Sequence, residues 1–145
     1  VEKDRYEIRP GAKRFELWES YMAGKSGLRA AMDYARSWDL EVSYARIQKL
    51  AEQIRTGLGD MPEATVHDLG EEQCGIVSFT LDGRNPADVA KALRDQAINV
   101  SVSTADMTRL DMESRGLESL IRASVHYYNS DDEIQRLLEA LEALT

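Results

Sequence analysis

The chain is 145 residues long, and its 26 acidic side chains against 18 lysines and arginines leave a formal charge of −8. At this length one core buries roughly 68–70% of the surface an unfolded chain exposes, so folding requires neither a metal nor a disulfide staple. An apolar fraction of 43% with 30% charged residues is too hydrophobic for a disordered chain, and no run approaches the ~20 apolar residues that cross a bilayer.

Residues 1–15 lack clear periodicity and read as an extended lead-in to a single domain over 16–145. The opening Val1-Glu2-Lys3-Asp4 has no initiator methionine, which is compatible with processing or with excision from a longer polypeptide. From Trp18 to Trp38, Trp18, Tyr21, Met22, Leu28, Ala31, Met32, Ala35 and Trp38 recur mostly at three- and four-residue spacing, which predicts a long helix with its stripe in the core. A second helix has Ser43 as N-cap, Ile47, Leu50, Ala51, Ile54 and Leu58 as buried face, and Gly59 at its end. Strands are expected at 64–69 and 75–81, both rich in β-branched and aromatic residues. Asn85-Pro86-Ala87-Asp88 opens a helix that runs to Gln96, with a capping amide, proline at the first helical position and an acid in the first turn.

Strand 98–103 alternates Ile98, Val100 and Val102 with Asn99, Ser101 and Ser103, so one face is apolar and the other polar. Strand 120–127 sets Ile121, Ala123, Val125 and Tyr127 against Leu120, Arg122, Ser124 and His126. Ser130-Asp131-Asp132-Glu133 is a capping box that starts a last helix through Ile134, Leu137, Leu138, Leu141 and Leu144. The order αα-ββ-α-ββ-α predicts an α+β fold, a small mostly antiparallel sheet with helices packed on one face. The other face is left to water or a partner.

That open face is where chemistry could sit. Arg122 shares it with short hydroxyl side chains, and a guanidinium fork held by a strand matches a carboxylate with two parallel hydrogen bonds. A solvated strand arginine or a structural ion pair is the plain alternative. The connection 104–118 is long enough to suggest a functional segment. Ala23-Gly24-Lys25-Ser26 resembles the end of a phosphate-binding loop, but Glu19 stands where a glycine is required and no strand precedes it, so it reads as helix surface. Cys74 lies at a strand entrance without a base near it in sequence, a structural or incidental thiol. His126 reads as a hydrogen-bonded strand-end residue and His67 as an exposed strand residue. Arg14-Phe15-Glu16 reads as a local ion pair around an anchoring aromatic. Cysteine and histidine show no zinc-like spacing, the arginines form no basic patch for nucleic acid, and without a signal segment the expected location is cytoplasmic.

Several blocks occur in a characteristic order: Arg14-Phe15-Glu16 before a long helix, Gly75-Ile76-Val77-Ser78-Phe79, Ile98-Asn99-Val100, Ile121-Arg122-Ala123-Ser124, and Tyr128-Asn129-Ser130-Asp131-Asp132-Glu133-Ile134. Over residues 10–144 they resemble the C-terminal small domain of class V aminotransferase-fold enzymes, the pyridoxal-phosphate group of transferases and lyases that includes cysteine desulfurases, selenocysteine lyases and isopenicillin N epimerase-like proteins. The resemblance implies a fragment. In that family a larger N-terminal domain supplies the Schiff-base lysine, the aspartate at the pyridine nitrogen and most phosphate contacts, and none of these has a counterpart here. Pyridoxal phosphate is therefore implied for the full-length enzyme, with none bound to this fragment and no catalysis by it alone.

The same resemblance assigns Arg122 to the α-carboxylate of an amino-acid substrate, with Thr104 and Arg109 as further substrate contacts and Ser20 as a replacement for the family's phosphate contact. The expected partners are the large domain of the same polypeptide and a second copy in a homodimer, with no nucleic acid and no membrane. Cysteine desulfurases carry a catalytic cysteine in the loop before the arginine, where this chain has Thr104-Ala105-Asp106-Met107-Thr108. That departure puts persulfide formation by the usual route in question, and Arg-Phe-Glu followed by Leu17-Trp18-Glu19-Ser20 looks more like the epimerase-like and uncharacterised aminotransferase-like branches. The competing expectation is a freestanding non-catalytic module that binds small ligands or partners through the open sheet face.

Overall fold

The structure, a computed structural model, describes residues 3–17 and 19–145. Trp18 of the predicted first helix lies outside them. The chain divides into two compact units, residues 1–39 and 40–145.

In the first unit a short 3-10 turn, Ala12–Phe15, occupies part of the expected lead-in, and the Arg14 guanidinium lies over the Phe15 ring, 4.8 Å from its centre. The arginine stacks on the aromatic rather than pairing across it. Helix α1 spans Met22–Ser37 and contains the Ala23–Ser26 stretch as ordinary helix, as its lack of a preceding strand requires. Its apolar stripe forms, but not as core. No described residue of α1 is buried, and Tyr21, Met22, Leu28, Met32 and Trp38 are each more than half exposed. Periodicity reports that a helix has an apolar side, not that anything covers it.

The second unit carries the core. Helix α2 spans Leu40–Gly59, so it starts upstream of Ser43, which lies within its first turn rather than capping it. Strands β1 (Ala64–Val66) and β2 (Ile76–Leu81) follow, then helix α3 (Pro86–Asp95), strand β3 (Ser101–Thr104), a short helix α4 (Arg109–Ser114), strand β4 (Ser119–Ser124) and helix α5 (Asp131–Glu142). The predicted order holds, with α4 added inside the β3–β4 connection. The four strands form one antiparallel sheet in the order β1-β2-β4-β3. Strands β3 and β4 are displaced from the predicted ranges, and β4 stops at Ser124. Beyond it the His126 ring stacks on Tyr128 at 5.0 Å.

Alternation along the strands sends Val77, Phe79, Leu81, Ile121 and Ala123 to one face, where they meet Leu50, Ile54 and Leu58 of α2, Val89 and Leu93 of α3, and Ile134, Leu137 and Leu141 of α5. The helix starts are built locally. Asn85 accepts from the Ala87 amide, with Pro86 at the first helical position, and Ser130 and Glu133 exchange both bonds of the capping box. Gly57 lets α2 and α5 approach closely, since a Cβ there would run into the Leu138 side chain.

The same two helices are tied by charge. Asp131 accepts from Arg46 at 2.8 Å and from the Gln53 amide at 2.9 Å, with Lys49 at 3.6 Å. The Arg46 hydrogen bond, then that of Gln53, hold the Asp131 carboxyl well below the usual carboxylate range. A carboxylate whose folded pKa is depressed contributes stability that is present above the ordinary value, near 3.8, and is lost as pH falls below it. Thermal melts of wild type and Asp131→Asn between about pH 2 and 6 should therefore converge as the solution is acidified; a constant gap between them would show that the charge of Asp131 does not stabilise the fold.

Candidate functional site

On the face of the sheet turned away from the core, the same alternation places Ser78, Arg122 and Ser124 beside the apolar Ile76 and the buried Leu120. In the register Ser78 of β2 stands opposite Arg122 of β4, and Arg122 stands opposite Ser101 of β3. Three side chains thus form one rung across the sheet, at Cβ separations of about 4.5–5.5 Å between neighbours. The His67 amide donates to the Ser78 carbonyl at 2.7 Å and continues the rung past the end of β1.

Behind Ser78 lies a buried ion pair. The Arg55 Nε meets Asp68 Oδ2 at 2.8 Å, with the two side chains only 10% and 9% exposed. Arg55 also donates to the carbonyls of Cys74 at 2.8 Å and Ile76 at 3.2 Å. The other oxygen of Asp68 accepts from both the amide and the hydroxyl of Ser78, at 2.8 and 2.5 Å. From the end of α4, Arg115 donates to the His67 carbonyl at 2.6 Å and pairs with Asp111 at 3.1 Å. These residues border an open groove of about 380 Å³.

His67 is half-buried rather than exposed as expected, with Nε2 2.8 Å from the Thr80 hydroxyl. Burial, then the positive charge of Arg115, lowers its pKa, with Asp68 opposing. A histidine pushed below its ordinary value is neutral at pH 7. Cys74, also at the groove, is exposed.

Four arginines are at least partly buried among the described residues: Arg46, Arg55, Arg115 and Arg122. The first three pair with Asp131, Asp68 and Asp111. Arg122 has no ion pair or hydrogen bond to its guanidinium among the described residues. A partly desolvated cation with an unused planar fork is suited to an anion from outside the chain.

Within the second unit, Thr104 and Arg109 do not join it. Thr104 faces Ser119, three residues along β4 from Arg122, so alternation turns it to the opposite side of the sheet, and its hydroxyl bonds Asp106. Arg109 begins α4, exposed and paired with Glu113 at 3.2 Å. Ser20 belongs to the first unit, exposed just ahead of α1.

The residues present do not make a pyridoxal-phosphate site on their own. A lysine that forms a Schiff base has its ammonium form disfavoured by burial or a neighbouring cation, but Lys3, Lys13, Lys25, Lys49 and Lys91 are all exposed. Lys49 and Lys91 are also paired with acids, and the hydrogen bond to Asp95 raises the pKa of Lys91. Among the described residues no group of histidine, cysteine and acidic side chains could hold a metal, and no helix is long and apolar enough to cross a membrane.

Comparison with known proteins places these features in a family context. Residues 2–137 match the family model described as aminotransferase class-V. A protein of Pseudomonas putida described as "Probable cysteine desulfurase" is 35% identical over 93% of this chain, which covers 33% of that protein. Among solved structures, apo cysteine desulfurase from Thermococcus onnurineus superposes with a TM-score of 0.81 at 29% identity, over 99% of this chain and 36% of that one. A C-DES mutant with glycine covalently linked to its PLP cofactor superposes with a TM-score of 0.68 at 29% identity, over 90% of this chain and 31% of that one. The chain thus spans about a third of the length of the relatives it matches.

Proposed function

The chain belongs to the class-V aminotransferase family, and from that premise we propose that it is the portion of a pyridoxal-phosphate enzyme that binds the carboxylate of an amino-acid substrate. The observation that carries this reading is Arg122, the one half-buried arginine without an acidic partner among the described residues. Sheet geometry fixes the base of its side chain, and two parallel N–H donors can seat a carboxylate while the amino group points away from the sheet. The cofactor is held by the rest of the polypeptide, because the exposed lysines here do not fit it. The isolated chain is therefore inactive, and the complete enzyme works as a cytoplasmic homodimer.

In this reading Thr104 and Arg109 belong to a segment that adjusts specificity from outside the carboxylate seat, and Ser20 meets the cofactor phosphate. The stretch 104–108 has no thiol, so sulfur transfer to a cysteine at that place is not this chain's chemistry, and an epimerase-like or aminotransferase-like reaction fits it better.

The test compares L-cysteine with cysteamine, the same molecule without its carboxylate, by titrating the cofactor absorption of the full-length, pyridoxal-phosphate-loaded protein. Binding of L-cysteine should be tighter by about 100-fold, the worth of two charge-assisted hydrogen bonds at the lower end of their range. Equal affinities would reject the reading.

A further inference from the structure

We propose that Ser78, held by Asp68 and Arg55, is a positioning residue for Arg122, an inference that rests on the carboxylate reading above. Hydrogen-bonding capacity sets the two roles. A serine hydroxyl has one proton and two acceptor positions, whereas a guanidinium only donates. Asp68 takes the Ser78 proton at 2.5 Å and the Ser78 amide at 2.8 Å, so both the hydroxyl rotor and the backbone beneath it are fixed. What the oxygen retains is acceptor capacity, and the side chain directly across the strand pair is the donor Arg122.

Arg55 completes the device. It meets the second oxygen of Asp68 at 2.8 Å and so holds in place the carboxylate that fixes the Ser78 hydroxyl. Ser101, on the other side of Arg122, differs: it lies exposed on the edge strand and has no such anchor among the described residues. Of the two flanking hydroxyls, that of Ser78 is the one the described residues hold in a fixed orientation.

Arg122 makes no bond to Ser78 in the structure, but the fixed hydroxyl offers an acceptor directly across the strand pair. When a carboxylate seats, one N–H can take that acceptor, which holds the remaining donors in one orientation. Hydrogen bonds of this kind tighten when the site is loaded.

The experiment uses the full-length, cofactor-loaded protein and the L-cysteine and cysteamine titrations. Ser78→Ala should raise the dissociation constant for L-cysteine about tenfold and leave that for cysteamine unchanged. Ser78→Thr, which restores a hydroxyl in a residue suited to strands, should recover wild-type affinity, and Ser101→Ala should stay within about twofold. Unchanged L-cysteine binding in Ser78→Ala overturns the proposal, as does an equal loss for both ligands, which marks a merely structural role. If Ser78→Ala does not fold, the comparison of Ser78→Thr with Ser78→Val, of similar shape but without the hydroxyl, decides the matter in the same way. Should Arg122→Ala retain the preference for L-cysteine, the carboxylate reading itself fails; should it abolish that preference while Ser78→Ala does not, only the positioning role is lost.

Discussion

Arg122→Ala in the full-length protein should weaken L-cysteine binding by about 100-fold and leave cysteamine binding within about twofold. The magnitude follows from two donors on one carboxylate. Each hydrogen bond to a charged group contributes about 1.5–3 kcal/mol, a factor of ten corresponds to about 1.4 kcal/mol, and partial exposure places the expected loss toward the lower end of that range. Arg122→Lys should recover only part of it, because an ammonium keeps the charge but not the planar fork. Folding should hardly change: with no internal partner for its guanidinium among the described residues, Arg122 can be removed without stranding another buried charge, and the shift in stability should stay within about 0.5 kcal/mol. Binding measured by titration and stability measured by urea denaturation therefore separate this residue from the other partly buried arginines. A loss shared equally by L-cysteine and cysteamine would remove Arg122 from the carboxylate seat.

The placement of Arg122 was legible in the sequence because a strand has a period of two. Ile121 and Ala123 are apolar neighbours on either side of it, so the arginine had to face away from the core, as the register shows. Local chemistry likewise specified the starts of α3 and α5, whose caps involve residues at most three apart. The Arg55–Asp68 pair had no such signal. Its members are 13 residues apart, on a helix and past the end of a strand, and only the packing of α2 beside β1 brings them together. Thr104 shows the opposite case: it is two residues from Val102, so strand alternation already set it on the apolar side, whereas its position in the connecting segment suggested a substrate contact. The stripe of α1 marks a third limit. Amphipathic spacing specified the helix, but burial depends on a covering surface that no periodicity within the helix describes.

Asp68→Ala should cost the fold about 3 kcal/mol, the lower end of the range for breaking a buried pair. It leaves Arg55 almost fully buried with its charge uncompensated, and the carbonyls of Cys74 and Ile76 can satisfy its N–H groups without neutralising it. The Ser78 amide and hydroxyl lose their acceptor at the same time. Removing both charges is a different case, because neither is then stranded: Arg55→Met combined with Asp68→Leu should recover most of the loss, giving a strong coupling in a double-mutant cycle. The measurement is the urea midpoint of the chain, with a slope of about 1–3 kcal/mol per molar for a protein of this size. A loss below about 1 kcal/mol in Asp68→Ala would mean that water reaches Arg55 and that the pair is a surface contact. The double variant also separates stability from function. Its restored core no longer fixes the Ser78 hydroxyl, so the full-length form should fold while still losing affinity for L-cysteine by about the same tenfold as Ser78→Ala.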